Sequence, residues 1–306
     1  MINLFHIPNH TIDTSEFSHM LHGEIVSTFE KDFAEYVGAQ YACTGNSASS
    51  LIQLALQRFP KPQLVQIPST IPIVVPNAVI NAGHKIMFYN DINWVGGYYH
   101  LHEDIFDSAQ QVSRNQFSDL AKDDALMIFS FYPTKPVSGC DGGIVVSNNK
   151  EKIDYFRMMT MNGTSVQDAS WKREQLSVGH KMHWTSVQAY IANQNLKKLD
   201  EKNSRLDDIR SAYNESFSYN NTSNHLYRIR IKNNKSFLQT MQANGISCGI
   251  HYEHCHGKPV YKDHEAQVAS LKPSEKESMQ TLSIPFNENL TDTEVDKVIY
   301  YVKRLT

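Results

Sequence analysis

Lys135, in the stretch FSFYPTKPVSGCDGG (residues 129–143), is the first residue placed to do chemistry. It follows an apolar run, stands between Pro133 and Pro136, and precedes Gly139, Gly142 and Gly143. A lysine in a partly buried pocket can lose its proton and attack a carbonyl to form a Schiff base. On an ordinary turn it is only a solvated cation. Asp107, in IFDSAQ, is the second such residue. An acid near the end of an apolar strand can serve as a simple cap, or it can hold a cationic ring nitrogen. The third feature is GNSASSL, residues 45–51, between a strand pattern and a helix pattern. The N–H groups and the hydroxyls of Ser47, Ser49 and Ser50 gather there at a helix N-terminus. That arrangement suits a phosphate, and equally an ordinary serine cap.

Taken in chain order, a phosphate site, an acid and a lysine are the parts that pyridoxal 5′-phosphate requires. The helix end takes the phosphate, the acid keeps the pyridine nitrogen protonated, and the lysine makes the imine.

The elements that must position these residues alternate between strand and helix. EIVSTFEKDFAEYVG reads as an amphipathic helix stopped by Gly38, YACTG as a strand and SASSLIQLALQRF as a helix. QLVQIP, HKIMFYND, DIFDSAQ, DALMIFSF and GIVVS read as further strands, with IVVPNAVINAG as a helix. The alternation predicts an α/β protein whose sheet is mostly parallel and covered on both faces. From Thr185 to Phe217 the pattern is helical without a break and rich in charge, as in a long connecting helix. SYNNTSN, residues 218–224, reads as a hinge. After it come HLYRIRI (strand), KSFLQTMQANG (helix), ISCGIHY (strand) and a final helix opened by a Thr291/Glu294 capping box. Two domains are expected: a large one over 1–217 including the long helix, and a smaller C-terminal α/β domain over 218–306.

Composition bounds the function. The chain has 306 residues, 41% hydrophobic and 20% charged, and a net charge of −3. No basic footprint points to nucleic acid, and no apolar run is long enough to span a bilayer. The start, MINLFHIPNH, lacks the pattern of a secretory signal. Cys43, Cys140, Cys248 and Cys255 have no framework spacing and read as reduced thiols of a cytoplasmic protein. Cys248 and Cys255 among His251, His254 and His256 do not have the spacing zinc sites favour, and no metal is expected. Neither GxSxG nor HExxH occurs.

FSFYPTKPVSGCDGGIVVSN resembles the lysine segment of the DegT/DnrJ/EryC1/StrS family of nucleotide-sugar aminotransferases. FEKDFAEYVGAQYACTGNSASSLIQLAL, AGHKIMFYNDIN, DSAQ, GHKMHWTSVQAYIANQNLKKLDE, GISCGIHYEHCHGKPVYK and LSIPFNENLTDTEVDKVI resemble other segments of that family. The likeness covers roughly residues 24 to 305. It implies a pyridoxal-phosphate-dependent transferase of fold type I, similar to aspartate aminotransferase. It also implies transfer of an amino group from L-glutamate, released as 2-oxoglutarate, to a dTDP-, UDP- or GDP-linked 3- or 4-keto-6-deoxy sugar. Such products feed amino-sugar, lipopolysaccharide O-antigen and other glycan synthesis.

Carried over residue by residue, the resemblance gives Lys135 the imine and the proton shuttle, and Asp107 the pyridine nitrogen. Gln110 touches the ring or its oxygen. Asn46, Ser47, Ala48 and Ser130 hold the phosphate. Lys181 stands where the family has an asparagine that reaches the phosphate of a neighbouring subunit, which implies a homodimer with shared sites. His251, Tyr252 and His256 lie where the family lines the sugar-nucleotide cleft; each also reads as a packed or surface residue.

The departures fall on cofactor packing. Ser47-Ala48 replaces the usual Gly-Thr, Pro72 or Ile71 stands at the position of a stacking aromatic, TMNG replaces RN[HY]G, and His183 replaces an arginine. Between NDIN and DSAQ the chain is shorter than its relatives by about one βα unit. Two readings therefore stand: an active aminotransferase, or a degenerate member that keeps the fold for binding or regulation. Retained Lys135 argues against a third, the dehydratases of the family, which carry histidine there.

Overall fold

The computed structural model describes residues 1–21, 23–165, 170–266 and 270–306. The first part of the chain runs α1 (Glu24–Val37), β1 (Tyr41–Gly45), α2 (Ala48–Gln57), β2 (Leu64–Pro68), α3 (Val74–Asn81), β3 (Lys85–Tyr89), β4 (Tyr99–His102) and β5 (Ile105–Asp107). It continues through α4 (Gln116–Leu120), β6 (Leu126–Ser130), β7 (Gly143–Ser147), α5 (Lys150–Thr160), α6 (Ser186–Lys197) and α7 (Leu199–Phe217). β8 (Tyr227–Arg230), α8 (Asn234–Ala243), α9 (Lys272–Gln280), β9 (Thr281–Ile284) and α10 (Asp292–Leu305) complete it.

Periodicity explains the elements that formed as expected. In α1, Phe29, Phe33 and Val37 recur on one face and are fully buried. The helix stops at Gly38, whose φ of +79° lets its N–H reach back to Ala34 and Glu35. Thr291 and Glu294 form the expected capping box at α10.

The main sheet has the order β1-β7-β6-β5-β4. The α/β class is as expected, but the sheet is mixed, not mostly parallel. β5 and β6 pair in parallel, whereas β1–β7, β6–β7 and β4–β5 are antiparallel. The connections dictate this. β6 and β7 are joined by a turn without a crossover helix, and β4 and β5 by Glu103-Asp104 alone, so each pair must reverse direction. β2 and β3 form a separate parallel pair. Between β3 and β5 the chain holds β4 and no helix, the shortening expected there.

β6 is buried along its whole length. Met127 and Phe129 pack on one face with Phe33 of α1 and Ala192 of α6. Leu126 and Ile128 pack on the other with residues of α2, α3 and α5. A third core joins Leu206, Ile209 and Tyr213 of α7 to β8, β9, α8 and α10, and also takes in Ile2.

Two local expectations are corrected. The helical run from Thr185 is two helices, α6 and α7, meeting at Lys198, whose φ of −98° and ψ of 0° leave the helical region. ISCGIHY is not a strand; it makes isolated bridges, Ile246 with Ile2 and Gly249 with Ser283. Among the described residues no helix is long and apolar enough to cross a membrane.

Candidate active site

The turn between β6 and β7 is fixed from several sides. Within it, Lys135 N–H donates to Tyr132 O and Gly139 N–H to Phe131 O, each at 2.9 Å. Asn195 of α6 donates to Ser138 O at 2.7 Å, and Lys202 of α7 to Pro136 O at 3.2 Å. Trp184 Nε1 donates to Asp141 O at 2.9 Å. Gly142, at φ +128°, passes so close to the Trp184 indole that a side chain there would collide with it. The turn thereby delivers Lys135 to a cavity of about 310 Å³. Burial pulls its ammonium down to about 8, an effect that the charge of Asp107 partly opposes.

Asp107 ends β5 and is 5% exposed. Its Oδ1 accepts from the N–H of Ala109 at 2.9 Å and its Oδ2 from the hydroxyl of Tyr99 at 2.7 Å. Burial raises its pKa above the carboxylate norm, while these two hydrogen bonds and Lys135 favour the ionised form.

Ser47 caps α2, its Oγ accepting from Ser50 N–H at 3.1 Å. The first N–H groups of a helix have no partner within it, which leaves those of Ala48 and Ser49 for a ligand. Gly143 of β7 lies against this end: a Cβ there would fall 2.6 Å from the N of Ala48.

The C-terminal part closes the cavity. Gln110 accepts from Gly96 N–H at 2.7 Å and donates to the hydroxyl of Tyr252 at 3.0 Å. His251 Nδ1 pairs with Ser283 Oγ at 2.9 Å, and burial pulls its ring down to about 4.

Of the residues expected from the sequence, Ser47, Ala48, Pro72, Asp107, Gln110, Ser130, Lys135, His251 and Tyr252 line this one cavity. Three do not. Asn46 is exposed, and its N–H is taken by Met182 O at 2.7 Å. Lys181 sits in a bridge with Met161. His256 pairs with Ser69 and Glu275. Among the described residues no group of three or more His, Cys, Asp or Glu could hold a metal ion.

Sequence reading missed Phe5, Trp94, Asp141 and His225 in the cavity wall, and Tyr99 behind Asp107. One signal was available for Tyr99. YYHLHEDIFD reads as two short strands around Glu103-Asp104, a hairpin that sets Tyr99 opposite Asp107.

The sequence model described as the DegT/DnrJ/EryC1/StrS aminotransferase family matches residues 9–93 and 105–303. A UDP-4-amino-4,6-dideoxy-N-acetyl-beta-L-altrosamine transaminase of Campylobacter jejuni is 26% identical over 338 aligned positions, covering 90% of this chain and 88% of the relative. The spore coat polysaccharide biosynthesis protein SpsC of Bacillus subtilis is 24% identical, covering 95% and 92%. Among solved structures, Helicobacter pylori PseC, an aminotransferase involved in the biosynthesis of pseudoaminic acid, superposes with a TM-score of 0.80 at 19% identity over 99% of each chain. A putative sugar aminotransferase of Streptococcus pneumoniae, solved in its PLP form, gives 0.79 at 15% identity, covering 99% of each chain. The fold is that of the pyridoxal-phosphate-dependent transferases of fold type I.

The residues present fit that cofactor. A helix end with free N–H groups, approached closely by a glycine strand, suits its phosphate. The buried carboxylate of Asp107 suits a protonated ring nitrogen, and the partly deprotonated amine of Lys135 suits its aldehyde.

Proposed function

The chain belongs to the DegT/DnrJ/EryC1/StrS aminotransferase family, and we propose that it moves an amino group from L-glutamate to a nucleotide-linked keto-deoxy sugar. The observation that carries this reading is the convergence of Lys135, Asp107 and the N-terminus of α2 on one cavity. The relatives named for a UDP-sugar transaminase and for polysaccharide biosynthesis support the substrate class.

When bound, pyridoxal phosphate supplies an aldehyde and an electron-withdrawing ring. The N–H groups of Ala48 and Ser49, with Ser130 nearby, hold its phosphate. Asp107 presents a carboxylate to the ring nitrogen, and Gln110 borders the ring. Lys135 Nζ, once free, takes a proton from the amino donor's α-carbon and returns it to the acceptor side. An amine titrating near 8 has a useful fraction of free base at neutral pH. Phe5, Ile52, Pro72, Val75 and Trp94 keep the cavity wall apolar and exclude water. His251 and Tyr252 face the sugar.

The working unit we propose is a cytoplasmic homodimer in which Lys181 reaches the partner's phosphate. Trp171 and Val178, 85% and 90% exposed, precede that lysine in sequence and offer apolar surface for a second copy to cover. Within each copy, residues 1–217 act as the large domain and 218–306 as the small one, which contributes His225, His251 and Tyr252 to the cavity.

The experiment is transfer of label from ¹⁵N-glutamate to a panel of 3- and 4-keto-6-deoxy sugar nucleotides, followed by mass spectrometry. Labelled amino sugar from the wild type and none from Lys135→Ala supports the reading. Cofactor binding without transfer to any sugar nucleotide or to 2-oxoglutarate would favour a binding role.

A further inference from the structure

We infer that Tyr99 is the positioning residue for Asp107, so that the shortened stretch between β3 and β5 itself rebuilds part of the cofactor seat. The inference rests on the reading of Asp107 as the partner of the ring nitrogen.

Tyr99 opens β4, and the antiparallel register places it directly opposite Asp107. Side chains paired in this way share one face of the sheet and touch. The Tyr99 hydroxyl donates to Asp107 Oδ2 at 2.7 Å, and both residues are 5% exposed. With Ala109 N–H on Oδ1, each carboxylate oxygen has one fixed donor. The carboxylate is thereby held in one orientation, with lone pairs left for a ring N–H.

Trp94 fixes the phenol in turn. The two rings meet edge to face with centroids 4.9 Å apart. Trp94 also lies within 5° of parallel to Tyr252 across the cavity wall. Trp94 and Tyr99 both fall in residues 94–104, which the family match leaves out. A local solution of this chain therefore supplies the donor.

Burial alone would push Asp107 toward its neutral form, which cannot pair with a protonated ring nitrogen. The phenol opposes that. Its own proton is secure, because burial and the charge of Asp107 raise Tyr99 well above the ordinary phenol range. Besides Tyr99, the ionisable groups acting on Asp107 are Lys135 and Tyr252.

The test is Tyr99→Phe, which keeps the ring packed on Trp94 and removes only the donor. Two quantities are read: the dissociation constant of pyridoxal phosphate, by fluorescence quenching, and the acid limb of the bound cofactor's visible absorption. Loss of a hydrogen bond to a buried charge is expected to weaken binding about ten- to a hundredfold. The acid limb is expected to move to higher pH, because Asp107 then protonates more easily. In an Asp107→Asn background the same change should weaken binding no further. A folded Tyr99→Phe protein with wild-type affinity and acid limb would overturn the inference. So would an equal loss in both backgrounds, which would make Tyr99 a packing residue. If phenylalanine prevents folding, Tyr99→His carries the test: affinity near wild type supports a donor role, and loss equal to that of a Trp94→Ala control refutes it. Failure of the wild type to bind the cofactor would instead remove the reading of Asp107 on which the inference stands.

Discussion

Gln110 donates from Nε2 to the hydroxyl of Tyr252 at 3.0 Å, joining two residues 142 positions apart in the chain. Gln110 follows β5, and Tyr252 lies between β8 and β9, so the bond ties the two parts of the chain across the cavity. Gln110 is 2% exposed, and its other end holds Gly96 N–H.

Tyr252→Phe leaves that amide without its acceptor. A buried donor left unpaired costs about 1–3 kcal/mol, so thermal unfolding should shift to lower temperature. The Michaelis constant for the sugar nucleotide should rise more than kcat falls. Calorimetry and steady-state kinetics check the two halves separately.

Lys135 titrates near 8 in the folded chain, below the ordinary lysine value of 10.5. The unfolded chain binds the extra proton between those values, so this group makes stability rise with pH from about 8 to 10.5. The same titration controls nucleophilicity. Capture of pyridoxal phosphate by the apoprotein should accelerate about tenfold per pH unit below 8 and level off above it. Stopped-flow absorbance measures the profile; a rate flat from pH 6 to 9 would refute a buried, titrating amine.

His251 is held at about 4, below its ordinary 6.5, chiefly by burial and then by Lys135 and Arg228. His225, buried beside it, is also pulled well below the ordinary histidine value, chiefly by burial. Unfolded histidine binds a proton in this window and the native rings do not. Their contribution is therefore present above 6.5 and lost as pH falls toward 4. Thermal unfolding of the apoprotein should drop over that range, and His251→Gln should flatten the drop.

Gly143→Ala places a methyl group 2.6 Å from the N of Ala48 and 2.8 Å from the O of Phe129. Backbone atoms on both sides cannot yield cheaply. The change should cost about 1–3 kcal/mol of stability by overpacking. Affinity for pyridoxal phosphate should fall as well, because β7 would move away from the end of α2. Inorganic phosphate competition against the cofactor separates the second effect from the first.

How far the sequence spoke depends on the physical range of each signal. α1 with Gly38, the Ser47 cap and the Thr291/Glu294 box are local patterns, and they formed where expected. Lys135, Asp107 and Ser47 were legible because each ends or follows a strong apolar strand. Strand direction was not, because it is set by connections: the β6–β7 turn that presents Lys135 is also what reverses β7. The break at Lys198 was hidden because polar residues fit a helix surface in any register. ISCGIHY has strand-like composition, but Gly249 finds only a single bridge, to Ser283. Tyr99 owes its place to the short β4–β5 hairpin and His225 to tertiary contacts, and His256 was drawn away from the cavity by Ser69 and Glu275.

The central claim is that Lys135 is the residue that joins the cofactor. Borohydride reduction of the protein after incubation with pyridoxal phosphate, followed by peptide mass mapping, tests it most directly. The account predicts one reduced pyridoxyl group per chain, on the peptide containing Lys135, and none on that peptide in Lys135→Ala. Label on another lysine, or none in a folded protein at saturating cofactor, would contradict it.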